Sequence, residues 1–396
     1  MTSCIEPLRP MKHLPETPFL LFDDARHGSE AGGRCYSRPV DTIIAKDLAD
    51  VAPAFDCMRA AYRRGRHLAG FVTYEAGYAL DPRLVGLMPA STSTVPLLWF
   101  GIFDRKVELT RPQIEALLPS PCSIEGFAPV VPNISHAVHR RNMEAVMEYI
   151  HAGDIYQANL TFRSTVEIGP HPLAFFAAIR ERASAGYGAV VSIPSHYILS
   201  FSPELFFRLA DGCITSRPMK GTAPRGSTPR ADEELAQALA KCDKQRAENL
   251  MIVDLLRNDL AQVSLPGSVK VPRLFDVERY PTLHQLVSEI RAVLKPSLNA
   301  IDILASAFPC GSITGAPKVR SMEIIAELEN DSRGIYTGSI GWIDPAGEAE
   351  FNVAIRTISL ERGATTGTLG LGSGIVADSK FDLEWDECLV KSKFLS

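Results

Sequence analysis

Apolar and polar residues recur with two periods along the chain, one typical of strands and one typical of helices. Strand-like runs lie at residues 97–103, 197–199, 204–209, 350–360 and 366–370. Helical spacing marks residues 51–66, 136–151, 243–258 and a last segment that starts near residue 382. The two kinds of element are interspersed without the regular strand–helix repeat of a Rossmann domain. The pattern therefore predicts an α+β fold that is built on large sheets.

Local signals indicate where several of these elements begin or end. Gly153 follows a helical stretch and is expected to end it. Asp211 and Gly212 lie between two strand-like runs, as in a hairpin turn. Thr228 followed by Pro229 is typical of a helix start, because a threonine side chain can cap the first turn and proline suits its first position.

One segment is a candidate connector between two regions. Residues 118–135 contain four prolines, which disfavour both helices and central strands. The first region, residues 1–130, shows little obvious chemistry, and we expect it to serve as a scaffold that contributes strands to the sheet core. The second region, residues 131–396, carries the candidate catalytic chemistry.

Composition and charge exclude several classes of protein. Hydrophobic residues make up 46% of the 396 residues and the formal net charge is −5, so a globular core is expected and a generic nucleic-acid binder is not. No apolar run is long enough for a membrane span, and the N-terminus lacks a secretory pattern. The 8 cysteines form no C-x-x-C pair, which favours reduced thiols and a cytoplasmic location.

Three glutamates are candidate metal ligands. Glu248 shares a helical face with apolar neighbours, where a carboxylate is costly unless it is paired or bound to a metal. Glu384 and Glu387 share one face of the last helix with Lys391. Carboxylates without histidine or cysteine suit a hard cation such as Mg²⁺. A solvated helix face is the alternative interpretation, and the sequence alone leaves open whether the two helices meet.

Two basic residues lie where an ordinary surface cation is not the only interpretation. Lys220 is bracketed by Pro218 and Gly221, and a lysine that is buried beside other cations can lose its proton and act as a nucleophile. Arg356 interrupts an apolar strand-like run, where it could bind the carboxylate of a ligand. The alternatives are a surface lysine in a turn and a structural salt bridge.

Two glycine-rich segments resemble nucleotide-binding motifs without matching them. In residues 311–318, GSITGAPK, the second glycine comes one position too early for a P-loop. Residues 370–375, GLGSGI, lack the G-x-G-x-x-G spacing. Both segments can still bring backbone N–H groups close to an anion, or they can be plain turns.

Taken together, these motifs are similar to those of the chorismate-using enzymes, which include anthranilate, isochorismate, salicylate and aminodeoxychorismate synthases. The resemblance covers about residues 134–396 in nine ordered segments. The segments are GDIYQAN (153–159), SPELF (202–206), RPMKGT (217–222), ENLMIVDLLRND (248–259), GSITGAPK (311–318), IYTG (335–338), IRT (355–357), GSGIV (372–376) and EWDE (384–387). It implies the family's fold, in which large antiparallel sheets form a sandwich-like core flanked by helices.

Two positions favour one branch of this family. Lys220 stands where the resemblance implies alanine in anthranilate synthases and lysine in aminodeoxychorismate synthases. Gln157 stands where the water-activating branches carry lysine. The combination resembles the aminodeoxychorismate synthase branch, which converts chorismate and ammonia to 4-amino-4-deoxychorismate through a covalent lysine intermediate on the route to 4-aminobenzoate and folate.

The resemblance also implies a role for individual residues. Lys220 would be the nucleophile and Glu204 the general acid. Glu248 and Glu387 would hold Mg²⁺, with Glu384 acting through water. The residues implied to bind substrate are Gly221, Thr222, His284, Thr314, Tyr336, Arg356, Gly372, Gly374 and Lys391.

The implied partners follow from the same resemblance. The chain shows no G-x-C-x-G nucleophile elbow for glutamine hydrolysis, so a separate glutaminase subunit is expected to supply ammonia. A separate lyase would act on the product, since no lyase segment is visible before Ser396. Anthranilate synthase component I is the nearest alternative, and a non-catalytic chorismate-binding subunit is an alternative from another class.

Overall fold

The fold was obtained as a computed structural model that describes residues 13–26, 32–88, 93–123, 129–280 and 283–395. Within these ranges the chain forms two ten-stranded sheets, and every strand pair in them is antiparallel. The predicted α+β fold with large antiparallel sheets is therefore confirmed.

The first sheet has the strand order β16-β8-β20-β19-β10-β9-β1-β2-β6, and β7 pairs with β8 outside this path. Its strands are β1 (Phe19–Asp23), β2 (Gly33–Ser37), β6 (Val107–Leu109), β7 (Val131–Pro132), β8 (Gln157–Glu167), β9 (Tyr187–Ser192), β10 (His196–Ser202), β16 (Gly315–Ala316), β19 (Thr357–Glu361) and β20 (Thr366–Ile375).

The second sheet has the order β13-β15-β12-β11-β18-β17-β4-β5-β3, and β14 pairs with β15. Its strands are β3 (Asp41–Ala45), β4 (His67–Val72), β5 (Leu98–Phe103), β11 (Leu205–Ala210), β12 (Cys213–Arg217), β13 (Met219–Pro224), β14 (Lys270–Arg279), β15 (Leu283–Val293), β17 (Ser339–Ile343) and β18 (Ala349–Asn352).

Helices cover the outer faces of this sandwich. The helices are α1 (Leu48–Arg63), α2 (Arg111–Leu117), α3 (His136–Ala152), α4 (Pro172–Ala183), α5 (Pro229–Lys241), α6 (Asp243–Val263), α7 (Ala300–Ala307), α8 (Lys318–Leu328) and α9 (Phe381–Val390). None of these helices is both long and apolar enough to cross a lipid bilayer.

The core has one layer between the sheets and further layers beneath the helices. Leu20 and Val191 of the first sheet pack in one cluster with Phe71, Trp99 and Ile340 of the second sheet. A larger cluster joins the outer face of the second sheet to α1, α6 and α7, and another joins the first sheet to α2 and α4. Burial of apolar side chains on both faces of each sheet is the main stabilising contribution to this architecture.

Strands from both predicted regions take part in the same sheets. Strand β1 pairs with β9, and β4 pairs with β17, so the hydrogen-bonded network runs without a break across the proposed boundary at residue 130. The role of the first region as a contributor to the sheet core agrees with these pairings, whereas the division itself stays a prediction.

The predicted helix and turn signals correspond to real element ends. Gly153 ends α3 with φ +83°, a conformation in which glycine has no side-chain clash. Asp211 and Gly212 both have positive φ between β11 and β12, as a tight hairpin turn requires. The Thr228 hydroxyl accepts a hydrogen bond from the Ala231 N–H at the start of α5.

One predicted strand is wrong. Residues 350–360 form two strands rather than one, because the chain leaves the second sheet after β18 and joins the first sheet as β19. Arg356 lies in this crossing with φ +49°, a value that an L-residue in a strand does not adopt. An apolar run of this length is compatible with either arrangement, so periodicity alone does not reveal the change of sheet.

A second crossing lies beside the first one. Between β10 and β11 the chain passes from the first sheet to the second through residues 203–204. The Val353 N–H donates to the Glu204 carbonyl at 3.0 Å, and the Phe201 N–H donates to the Arg356 carbonyl at 3.0 Å. The Ser202 hydroxyl donates to the Val353 carbonyl at 2.6 Å. These bonds hold the two crossings side by side.

Candidate active site

A cavity lies next to the two crossings and is lined by both sheets and by helices α6 and α9. Its lining includes most of the residues that the sequence singled out. These are Glu204, Lys220, Gly221, Thr222, Glu248, Tyr336, Arg356, Gly372, Gly374, Glu384, Glu387 and Lys391. Residues that are hundreds of positions apart in sequence therefore meet in one site.

Lys220 projects from β13 into this cavity. Burial lowers the pKa of its amine, and the nearby charge of Lys391 lowers it further, while Glu248, Glu204 and Glu387 act in the opposite direction. The next residue, Gly221, has φ +92°, and a Cβ atom there would lie 2.6 Å from the Gln245 side chain. Glycine is therefore required at this position for the lysine to follow its path.

Glu204 lies in the crossing between β10 and β11 and is only 3% exposed. Burial raises the pKa of its carboxyl group to about 7, although the Ser312 hydroxyl, the Lys220 amine, the Met219 N–H and the Lys391 charge favour the ionised form. A carboxylic acid with such a pKa can carry a proton at neutral pH and release it to a substrate.

Three carboxylates approach the cavity from two helices. Glu248 comes from α6, whereas Glu384 and Glu387 come from α9. Burial raises the pKa of Glu248, and the negative charges of Glu384 and Glu387 add to this effect. The influence of α9 carboxylates on a group of α6 indicates that the two helices face each other across the site.

Existing partners hold the α9 carboxylates in place. Glu384 accepts a hydrogen bond from the Ser379 hydroxyl at 2.7 Å. Glu387 forms an ion pair of 2.7 Å with Lys391, which lowers the pKa of Glu387, and the Lys391 Nζ also donates to the Gly372 carbonyl at 2.8 Å. Both glutamates are thus kept ionised or oriented at the cavity wall.

The donor set fits Mg²⁺ in its chemistry. All three side chains are carboxylates, and Mg²⁺ prefers oxygen ligands, usually one or two carboxylates together with water and ligand oxygens. In the described part of the chain, no group of three or more His, Cys, Asp or Glu residues is close enough to form a complete metal site. The arrangement therefore suits a metal that takes its remaining ligands from water and from a bound substrate.

Close packing of glycines shapes the opposite wall, which β20 supplies. A Cβ atom on Gly370 would lie 2.1 Å from the Tyr336 ring. A Cβ atom on Gly374 would lie 2.1 Å from the Gln157 amide nitrogen and 3.2 Å from the Lys220 Nζ. These glycines leave room for other side chains at the cavity, so the GLGSGI segment is a wall of the site.

Arg356 supplies a cation without a partner. No described carboxylate lies within ion-pair distance of its guanidinium, and burial lowers its pKa. A buried guanidinium favours an anionic partner, so the side chain is suited to bind a carboxylate from a ligand. The structural salt bridge considered from the sequence is not found among the described residues.

His284 and Thr314 differ from the other expected substrate contacts, because neither lines the cavity. His284 is fully buried, and its Nε2 lies 2.9 Å from the Asp232 carboxylate. The Thr314 hydroxyl donates to the Cys310 and Gly311 carbonyls at 3.3 Å. Both side chains support the surrounding backbone.

Their sequence neighbours line the site instead. Gln285 follows His284 on β15 and points into the cavity, because successive strand residues face opposite sides. Its amide nitrogen donates to the Gly221 carbonyl at 2.8 Å, and its Oε1 accepts from the Thr222 hydroxyl at 3.3 Å. The alternation of side chains along a strand is the signal that could have identified Gln285.

Further lining residues had no signal in the sequence analysis. They are Asn159, Lys244, Gln245 and Ser312. Lys244 and Gln245 come from the first turn of α6, and the spacing of four between residues 244 and 248 could have placed the lysine on the same face as Glu248. Ser312 belongs to the GSITGAPK segment, where only glycine, threonine and lysine drew attention.

The lysine of that segment does not face the cavity. The Lys318 Nζ donates to the Asp259 carboxylate at 2.6 Å and to the Ala307 carbonyl at 2.9 Å. It therefore ties the start of α8 to α6 and has no role like that of a P-loop lysine. The mismatch in glycine spacing agrees with this placement.

Comparison with known proteins places the chain in a family. The family model described as chorismate binding enzyme matches residues 17–396. Aminodeoxychorismate synthase component 1 of Salmonella typhimurium is 46% identical over 261 residues, which cover 65% of this chain and 57% of that protein. The chloroplastic aminodeoxychorismate synthase of Arabidopsis thaliana is 37% identical over 374 residues, which cover 93% of this chain and 37% of that protein.

Solved structures agree with the fold. Anthranilate synthase component I from Streptococcus pneumoniae superposes with a TM-score of 0.79 at 23% identity, covering 100% of this chain and 95% of that chain. A putative 2,3-dihydroxybenzoate-specific isochorismate synthase from Bacillus anthracis gives 0.76 at 21%, covering 95% and 94%. The chain matches little more than half the length of the bacterial component 1 relative and less of the plant one. It belongs to the family of chorismate binding enzymes.

Proposed function

We propose that this chorismate binding enzyme is an aminodeoxychorismate synthase component 1, which converts chorismate and ammonia to 4-amino-4-deoxychorismate. The observation that carries the proposal is the buried amine of Lys220, whose pKa is lowered, in one cavity with Glu204 and the three glutamates. Relatives at 37–46% identity that carry the name aminodeoxychorismate synthase support the choice within the family.

Glu204 and Lys220 would carry out the first half of the substitution. The neutral Lys220 amine attacks ring C2, the ring double bond shifts, and the C4–O bond breaks. Glu204 gives its proton to the departing hydroxyl, which leaves as water, and becomes a carboxylate. The substrate is then attached to Lys220 through a C2–N bond.

Ammonia completes the reaction. It attacks C4, the double bond returns, and the C2–N bond breaks so that the Lys220 amine is regenerated. The proton lost by the incoming nitrogen balances the one that Glu204 gave up. The enolpyruvyl group stays on the ring because neither half of the sequence breaks its bond.

Charged groups in the cavity would bind the two carboxylates of chorismate. Glu248 and Glu387 would hold Mg²⁺, and Glu384 would act through a water molecule. When bound, Mg²⁺ would act as a Lewis acid toward the ring carboxylate. Arg356 and Lys391 would bind the carboxylate of the enolpyruvyl group.

Several neutral groups would complete the substrate pocket. Tyr336 and the backbone amides near Gly372 and Gly374 would border the enolpyruvyl side chain. Gly221 and Thr222, which Gln285 holds in place, would border the ring. The pocket would thereby orient chorismate relative to Lys220.

A partner would supply the nitrogen. The designation component 1 of the bacterial relatives supports a second component, for which we propose a glutaminase subunit that delivers ammonia. A separate lyase would convert the product to 4-aminobenzoate. All of these steps would take place in the cytoplasm and need neither nucleic acid nor a membrane.

Mass spectrometry of the reaction products would test the proposal. Chorismate, Mg²⁺ and ammonium should yield 4-amino-4-deoxychorismate, and added lyase should convert it to 4-aminobenzoate. Fluorescent anthranilate as the main product would indicate an anthranilate synthase instead. Failure to convert chorismate with ammonium or with a glutaminase partner would favour a non-catalytic chorismate-binding subunit.

A further inference from the structure

The two carboxyl oxygens of Glu204 have different surroundings. Oε1 is buried and has no hydrogen-bond partner among the described residues. The carboxyl group nevertheless receives the Ser312 hydroxyl and the Met219 N–H. Since Oε1 has no partner, Oε2 is the oxygen that accepts these hydrogen bonds.

A buried thiol fixes the direction of the Ser312 hydroxyl. The Cys310 Sγ lies 3.3 Å from the Ser312 Oγ, and both residues are 3% exposed. Burial raises the pKa of Cys310 to about 12, so the thiol keeps its proton at neutral pH and can donate it to the Ser312 oxygen. The Ser312 hydrogen is then directed at Glu204.

We propose that Ser312 is a positioning residue that keeps Glu204 Oε2 an acceptor and thereby places the acidic proton on Oε1. The inference rests on the proposed function, in which Glu204 is the general acid. A protonated carboxyl group has one O–H, and the oxygen that already accepts two donors is the poorer place for it. Oε1 thus carries the proton and has no internal acceptor that would compete with the departing hydroxyl of the substrate.

The same contacts serve the product of the proton transfer. When the proton leaves Oε1 for the departing hydroxyl, the negative charge spreads over both oxygens of Glu204. The Ser312 hydroxyl and the Met219 N–H are already in place to stabilise that charge. The other charged or titratable groups that face Glu204 are Lys220, Lys391 and Cys310.

Three serine variants test this role. Ser312→Ala removes the donor, Ser312→Thr keeps a hydroxyl, and Ser264→Ala is a matched control. Ser264 is equally buried and donates to the Leu260 carbonyl at 2.7 Å, but it does not line the cavity. For each variant, kcat and KM for chorismate would be measured against pH with Mg²⁺ and ammonium, together with the melting temperature.

The expected result is a loss in kcat rather than in substrate binding. Ser312→Ala should lower kcat by about 3- to 10-fold, which corresponds to one lost hydrogen bond, with little change in KM. The alkaline limb of the pH profile should move upward, because loss of a donor to the carboxylate raises the pKa of Glu204. Ser312→Thr and Ser264→Ala should behave like the wild type.

A second readout does not depend on turnover. Infrared difference spectra against Glu204→Gln would follow the protonated C=O band of Glu204 as pH changes. The midpoint should lie at about 7 in the wild type and higher in Ser312→Ala. A lack of product from the wild type would count against the proposed function, whereas this titration would still decide the role of Ser312.

Two results would overturn the inference. In the first, Ser312→Ala has the wild-type pH profile and the wild-type infrared titration. In the second, Ser312→Thr loses as much kcat as Ser312→Ala at an unchanged melting temperature, which would show that the hydroxyl is not the group that matters.

Discussion

The cavity has two walls whose ionisable groups behave in opposite ways. The strand wall holds Glu204 and Lys220, and burial shifts the pKa of each toward its neutral form. The helix wall, formed by α6 and α9, holds Glu387 and Lys391, and their ion pair favours the charged form of both. Proton transfer and nucleophilic attack need neutral groups, whereas binding of Mg²⁺ and carboxylates needs charged ones.

Position in the fold accounts for this difference. Glu204 lies in a crossing between the sheets and Lys220 on a strand, so protein surrounds both groups and their charged forms lose hydration. On α9, residues 387 and 391 are four positions apart and meet on one helical face. Glu248 is the intermediate case, because it lies on the helix wall while burial raises its pKa.

Loss of the amine on the strand wall should have the largest effect. Lys220→Ala should lower turnover by at least about a thousandfold, because no other group can form the covalent bond to the ring. Product formation and covalent adducts would be followed by mass spectrometry, with Lys241→Ala at the exposed end of α5 as the control. Near-normal turnover of Lys220→Ala would remove the nucleophile from the mechanism.

Loss of the acid should have the next largest effect. Glu204→Gln keeps the shape of the side chain but supplies no acidic proton, so kcat should fall by about 10²- to 10⁴-fold while Mg²⁺ binding stays unchanged. Steady-state kinetics and calorimetric Mg²⁺ titration would measure the two quantities. A variant that lost metal binding instead would break the division between the walls.

A change on the helix wall should act mainly on the metal. Glu248→Gln removes one anionic ligand and should weaken Mg²⁺ binding by about tenfold or more. Calorimetry with and without chorismate would measure it, and Glu144→Gln on the exposed face of α3 is the matched control. Identical Mg²⁺ titrations for Glu248→Gln and the wild type would contradict this assignment.

The pH dependence should follow the strand wall. Glu204 acts in its protonated form, so activity should fall as pH rises through its pKa of about 7. Lys220 acts in its neutral form, and its pKa is lowered from the usual value, so activity should fall as pH decreases. A bell-shaped profile of kcat/KM would agree with both signs, whereas a profile that is flat around pH 7 would contradict them.

The smallest effect should separate two neighbours on β15. Gln285→Leu should raise KM for chorismate by about 3- to 10-fold, because Gly221 and Thr222 each lose a hydrogen bond. His284→Gln should leave KM near the wild-type value, since that side chain faces Asp232. Steady-state kinetics would measure both, and a larger rise in KM for the His284 variant would reverse the placement.

The sequence predicted the residues of the helix wall better than their arrangement. Helical spacing put residues 384, 387 and 391 on one face, because a local period settles such a relation. It left open whether Glu248 would face them, since that depends on how α6 and α9 pack on different strands. The antiparallel sheets followed from the resemblance, whereas strand order and sheet membership depend on pairings between distant segments.

The strand wall was harder to predict. Residues 350–360 were assigned to one strand, because an apolar run does not show where a chain changes sheet. His284 was expected at the site instead of Gln285, since a shift of one residue reverses the side of a strand that faces the cavity. Ser312 gave no signal, because its importance comes from a contact with a residue 108 positions away.

The paired crossings have a consequence for how the protein tolerates change. Glu204 and Arg356 are each part of a main-chain passage from one sheet to the other, and backbone hydrogen bonds tie these passages together. The spacing between the proton donor and the anion receptor is thus set by the polypeptide itself at the seam of the sandwich. Insertions at the outer strand edges, or exchange of the covering helices, would leave that spacing intact, while a single inserted residue at the seam would alter it.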